Sequence, residues 1–442
     1  MPWIGVQALW TTEFVAAGTY FTQELGYSPE EAALTWIAGP VTGFITAPIV
    51  GSLSDRCESR FGRRRPFIFF ALVWLWATSI AFAQSHKQSL FPAGSPMKLF
   101  GLVMFILLDV AVNLIQTPVR AIVSDLATQE QQTAGQIIGV FFAGVGSLVG
   151  FGINYVIDHH LKDKFPEDQA LMVVIVAVLS CLTVFIGIQL SVCKETQWVK
   201  PADAPPSNMC TPFTGAFGAV FRMSRDMVKM AFTQFFSWLA FFCFLPFFTQ
   251  WICKLVFGGD GDQDKKHTEE GRKYEDGKKF AAQAGIYQAC VMIVFSLLLV
   301  SLMRLKVPVR VMFSACLFAG AATLVCGRFL VGLDDTLPAT LVVVGMAIPL
   351  SAANAFPFAL VGSMNKAAQK AGKAVDTGAQ MGMLNIFICL PQIFASLAVS
   401  AMTKMEGLQG GLAESWAFLV GGVSLAIAAV MALFLNDKDV SS

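Results

Sequence analysis

Twelve stretches of about twenty mostly apolar residues recur along the chain, separated by shorter polar connections. A helix of that length crosses about 30 Å of hydrocarbon. The pattern therefore predicts helices at 3–25, 31–54, 66–85, 98–124, 133–157, 169–193, 229–253, 280–303, 309–331, 338–363, 378–403 and 412–436. Turn and charge signals fill the gaps, at Gly26-Tyr27-Ser28-Pro29, Asp55 to Arg65, His86 to Met97, Asp158 to Asp168, Lys194 to Arg225 and Gly258 to Lys279. The expected fold class is an all-α membrane protein, and an even helix count places both termini on one side.

Composition agrees with that pattern. Of the 442 residues, 55% are hydrophobic and 14% charged, where a soluble domain carries about a quarter charged; the mean hydropathy is +0.62. A net charge of +1 gives no argument for nucleic acid. The ten cysteines show neither zinc-site nor secreted-disulfide spacing and read as small buried hydrophobes. No metal or cofactor is expected. The first helix has no basic n-region and cleavage site, so it reads as a retained anchor.

Loop charge sets the orientation. Lys and Arg number 17 on the side of the termini and 12 on the other, where 7 sit in 254–279 among 7 acids. Both termini are thus expected to be cytoplasmic. The longest hydrophilic stretch on that side follows the sixth helix and holds Pro201, Pro205, Pro206 and Pro212. It divides the chain into six-helix halves at 1–193 and 229–442, joined by a linker at 194–228. Such a plan places a substrate site near the midplane, between the halves.

Among thirty acids, only Glu13 and Asp109 fall well inside predicted helices, and Arg120 joins them as a cation. An ionisable group at membrane depth costs several kcal/mol and points to function. Asp109, Asn113, Gln116 and Arg120 are spaced at 0, 4, 7 and 11 on the fourth helix, which puts them on one face. Asp109 and Arg120 stand about 16 Å apart along an ideal helix, so each needs another partner, and Glu13 is a candidate for Arg120. On the first helix Glu13 lies between Trp10 and Tyr20 on a shared face. Aromatic and planar polar groups together suit a small-ligand pocket. The second half offers amides at Gln234, Asn354, Asn385 and Gln392. The four histidines fall in loops on the far side, where solvation is expected, and 258–279 reads as a solvated loop without the ordered acids of a calcium site.

Between the second and third helices stands Gly51-Ser-Leu-Ser-Asp55-Arg56-Cys-Glu-Ser-Arg60-Phe-Gly62-Arg63-Arg64-Arg65-Pro66-Phe67. A basic loop can be merely topogenic. Its order, with Asp55 to accept charge-assisted bonds and Gly62 to make a tight turn, suits a gate that latches the two halves at the cytoplasmic end. The loop resembles the G-x-x-x-D-R-x-G-R-R-R motif of the major facilitator superfamily, in the expanded form of the sucrose:proton symporter family and its animal relatives. Gly5-Val6-Gln7, Trp36-Ile37-Ala38-Gly39-Pro40, Leu107-Leu108-Asp109-Val110-Ala111, Ile348-Pro349-Leu350, Phe356-Pro357-Phe358-Ala359-Leu360, Met383-Leu384-Asn385 and Pro391-Gln392 extend the resemblance.

The resemblance implies the major facilitator fold and proton-coupled uptake of sucrose or a related glucoside by a monomer in the plasma membrane. It implies proton coupling at Asp109, with Glu13 matching an acid of the animal branch. Sugar contacts are expected from Asp109, Asn113, Gln116, Arg120, Trp10, Tyr20, Asn354, Asn385 and Gln392, and gating from Gly51, Asp55, Arg56, Arg60, Gly62, Arg63, Arg64 and Arg65. At the end of the seventh helix, Phe248-Thr249-Gln250-Trp251-Ile252-Cys253-Lys254-Leu255 departs from the acid-rich run of plant members. A sugar uniporter or hexose transporter, or a non-transporting sugar sensor, is the alternative. No nucleophile-base pair or phosphate loop in the helices suggests an enzyme.

Overall fold

The computed structural model describes residues 1–55, 57–87, 94–126, 129–161, 169–193, 223–262, 265–304, 307–370, 377–405 and 410–436, with isolated positions between them. Those residues form α-helices with short π and 3₁₀ turns, and no strand occurs among them. Twelve segments run in sequence: α1 (Trp3–Gln23), α2 (Pro29–Thr35 and Ala38–Asp55), α3 (Arg65–Ala83), α4 (Ser95–Leu126), α5 (Gln129–Val156), α6 (Ala170–Val192), α7 (Arg225–Phe244, Phe248–Trp251 and a π turn Ile252–Val256), α8 (Glu269–Arg304), α9 (Val309–Phe329), α10 (Thr336–Gly345 and Ala347–Lys370), α11 (Thr377–Thr403) and α12 (Leu412–Ala432). Successive segments alternate in direction, so α1 begins and α12 ends at one end of the molecule, called here the terminal end. Most of the predicted linker, including 198–222, lies outside the described residues.

Two large hydrophobic cores organise the bundle, and a small third joins α5 to α8 and α10. One large core is built mainly from residues of α1 to α6 and the other mainly from α7 to α12. Across the divide α5 packs on α8 and α10, and α2 packs on α11. The twelve segments of the described residues thus fall into two six-helix halves.

Among the described residues, eleven helices are long and apolar enough to cross a membrane by composition. The remaining segment, α1, is shielded by protein along almost its whole length. Its polar side chains find partners there: the Thr11 hydroxyl bonds Ser147 at 3.3 Å and Asn154 donates to Thr12 at 3.1 Å. Close approach to α5 depends on missing side chains, because a Cβ on Gly146 would stand 2.3 Å from the Ile4 carbonyl oxygen and one on Gly150 2.7 Å from that of Ala8.

The far end differs from expectation. Residues 269–279, read from the sequence as solvated loop, continue α8 beyond its apolar part. Hydropathy cannot detect such an extension, but local charge pairs support it: Lys273 with Glu269 at 3.3 Å, Lys278 with Glu275 at 3.1 Å and Lys279 with Asp276 at 3.3 Å. Among the cysteines, Cys243, Cys253, Cys316 and Cys389 are buried as expected, whereas Cys290 and Cys326 lie on outer helix faces.

Candidate functional site

A central cavity of about 180 Å³ lies between the halves. Its lining residues come from the middle and the terminal-end portions of the helices: α1 contributes Trp3 to Phe14 but none of its last two turns. The cavity thus runs from mid-depth toward the terminal end.

The polar stripe of α4 faces this space. Asn113, Gln116 and Arg120 line it, and the stripe is internally bonded: Gln116 donates to the Asn113 side chain at 2.8 Å, and Asn113 donates to the Asp109 carbonyl at 2.9 Å. Arg120 does not pair with Glu13, which corrects the sequence expectation. Its guanidinium lies 4.8 Å from the ring centres of both Trp3 and Phe358, one from each half, and no ion pair to it occurs among the described residues. Cation-π contacts of this kind offset part of the desolvation of the charge while leaving the guanidinium edge available to a ligand.

Asp109 is 1% exposed and Glu13 6% exposed, and neither lines the cavity. All four carboxyl oxygens are buried without a hydrogen-bond partner among the described residues. What separates Asp109 from the cavity is Gly39 of α2, where a Cβ would stand 3.5 Å from Asp109 Oδ1. One turn on, a Cβ at Gly43 would lie 3.1 Å from Asn113 Oδ1 and 3.2 Å from Cys389 Sγ. The bare edge of α2 therefore lets α4 and α11 approach together. The Asn385 amide crosses the divide to the Gly43 carbonyl at 3.3 Å.

Asn354, Asn385 and Gln392 line the cavity from the second half, and Trp10 lines it from the first, stacked on Phe14 at 6.0 Å. Tyr20 does not reach the cavity. Its hydroxyl lies at the far end, 3.1 Å from Ser85, 3.0 Å from His86 Nδ1 and 3.0 Å from the Phe82 carbonyl, which fastens α1 to the end of α3. His86 is accordingly half-buried in this contact. Gln234 is fully buried away from the cavity. Lining residues that sequence patterning missed include Trp3, Gln136, Trp238, Gln288 and Phe358. Also missed was a buried ion pair, Lys254 with Glu414 at 3.1 Å, in which the departing residue Lys254 has a partner in the first turn of α12.

At the terminal end, Gly62 adopts φ +105°, the left-handed turn expected of it. Arg64 donates to Ser54 at 2.5 Å and to the Gly51 carbonyl at 3.3 Å, and its amide donates to Glu195 at 3.0 Å. Arg65 donates to the Cys193 carbonyl. These bonds tie the loop to α2 and to the end of α6, within the first half. Arg60 stacks on Phe61. Arg56 and the side chain of Asp55 lie outside the described residues.

A family model described as MFS/sugar transport protein matches residues 1–262. The chain is 26% identical over 474 residues to the sucrose transport protein SUT5 of Oryza sativa subsp. indica, covering 95% of this chain and 85% of that one. It is 28% identical over 267 residues to the general alpha-glucoside permease of Schizosaccharomyces pombe, covering 56% of this chain and 46% of the permease. Among solved structures, a bacterial homologue of the human drug peptide transporters PepT1 and PepT2 superposes with a TM-score of 0.64 at 12% identity, covering 98% of this chain and 96% of that one. The xylose transporter XylE from E. coli, in an inward open conformation, superposes at 0.62 and 12%, covering 98% and 94%. These likenesses show the fold.

Proposed function

We propose that this chain, which belongs to the MFS/sugar transport protein family, is a proton-coupled symporter of sucrose or a related glucoside that works by alternating access in the plasma membrane. The observation that carries the reading is a pair of buried acids, Glu13 and Asp109, that have no hydrogen-bond partner among the described residues, with Asp109 set behind Gly39 at the edge of an aromatic and amide cavity. Neither acid has a counter-ion among the described residues, and an ionisable group held at membrane depth without one suits a site that exchanges a proton.

Sugar hydroxyls would take bonds from Asn113, Gln116, Arg120, Asn354, Asn385 and Gln392, with the apolar face of the sugar ring on Trp10. Proton release from Asp109 across the Gly39 edge would alter the charge beside the α4 stripe and so weaken the sugar contacts. In the proposed orientation the terminal end is cytoplasmic, which makes this conformation the one that empties inward. The 51–65 loop then sits at the cytoplasmic gate. One chain carries the whole site.

Uptake into proteoliposomes of a panel of mono- and disaccharides, with and without an imposed pH gradient, tests the proposal. Accumulation above equilibrium only with the gradient is expected. Equal uptake in both conditions would make the protein a uniporter, and binding without flux would make it a sensor.

A further inference from the structure

The charged residues of the far end form a structure that the sugar site does not use. Residues 258–262 and 265–270 fold back on the extended start of α8 as a compact hook. Lys265 pairs with Asp260 at 2.6 Å and with Glu270 at 3.1 Å, and the Asp260 amide donates to the Glu270 carbonyl at 3.2 Å. The windings leave no room for side chains: a Cβ on Gly259 would stand 2.3 Å from the Tyr274 nitrogen, and one on Gly271 2.3 Å from the Lys265 carbonyl oxygen. Tyr274, 1% exposed, anchors the hook from within.

From this platform two side chains meet the first half. Lys266 forms an ion pair with Glu24, just after α1, at 2.8 Å, and Glu275 accepts from Gln23 at 3.1 Å. A third contact between the halves stands at the same end, where Ser400 of α11 donates to the Glu30 carbonyl of α2 at 3.1 Å. The central cavity is lined from the opposite direction and takes nothing from the last two turns of α1.

We infer that the hook formed by 258–262 and 265–279 is the outer latch of the transporter, holding the halves together through Lys266–Glu24 and Glu275–Gln23 while the cavity faces the terminal end. The inference rests on the alternating-access reading. If the halves rock, these bonds break whenever the cavity opens to the far side, so they bias the resting population toward the conformation described here. Each is part-exposed, and such pairs are individually weak. The latch is therefore a bias that substrate binding can overcome.

Hydrogen exchange of the full chain in lipid nanodiscs, without sugar or gradient, tests the latch separately from transport. Lys266→Glu places like charges together, and its amide exchange in 19–25 and 265–275 is expected to rise about fivefold, an ion pair lost and a repulsion gained. The swap Glu24→Lys with Lys266→Glu is expected to restore wild-type protection. Gln23→Leu, which keeps the charge balance, should raise exchange in 19–25 about twofold. Unchanged exchange in Lys266→Glu, or a swap that exchanges as fast as the single variant, would overturn the latch. Should Lys266→Glu fail to fold, the swap and Gln23→Leu decide in the same way. Failure of sugar uptake in the wild type would leave this result standing as an inter-half contact and would instead remove the transport reading.

Discussion

The middle of the molecule and its far end treat charge in opposite ways. In the middle, Glu13 and Asp109 have no hydrogen-bond partner among the described residues, and Arg120 rests between two aromatic rings. At the far end Lys254 meets Glu414, Lys266 meets Glu24 and Lys265 meets two acids. Buried charge is costly unless compensated. Where the protein supplies the compensation, the charge serves the structure; where it does not, the proposed function assigns the counterpart to a proton or a ligand from outside.

This contrast can be broken at several points. The largest effect is expected for Asp109→Asn, which keeps shape but cannot exchange a proton: sugar accumulation under a pH gradient should fall to the equilibrium level, while sugar exchange between two sides at equal pH persists. Arg120→Ala removes charge-assisted bonds worth about 2 kcal/mol, so the half-saturating sugar concentration should rise roughly thirtyfold; an unchanged concentration dependence would take Arg120 out of the site. Glu414→Ala strands the buried Lys254 ammonium and should lower stability by about 3 kcal/mol. Thermal melting would show that loss, and the paired variant Glu414→Leu with Lys254→Met should recover much of it. The smallest effect belongs to Tyr20→Phe, which loses bonds to Ser85 and His86 and about 1 kcal/mol of stability, with sugar half-saturation unmoved. Trp10→Ala, by contrast, should weaken sugar uptake.

How much of this was legible beforehand follows from what each signal measures. Helical spacing brought Asn113, Gln116 and Arg120 to one face, and the structure turns that face to the cavity. Spacing gives direction and not depth, however. Tyr20 shares a face with Trp10 but stands ten residues along α1, about 15 Å away, and belongs to the far end. The partners of Arg120 come from the start of α1 and from α10, and Glu414 lies 160 residues from Lys254; no local pattern reports such neighbours. Gly39 and Gly43 were visible as letters, but their role depends on which helices press against α2. The α8 extension escaped because hydropathy detects apolar runs, although its i,i+3 and i,i+4 charge pairs were in plain view.

The central claim is that sugar crosses together with a proton held by the Glu13 and Asp109 pair. Its most direct test is the external pH of a weakly buffered proteoliposome suspension as sucrose or another transported glucoside is added. The account predicts a transient external alkalinisation in the wild type that is absent from Asp109→Asn. Sugar entry in the wild type with no accompanying proton movement would contradict it.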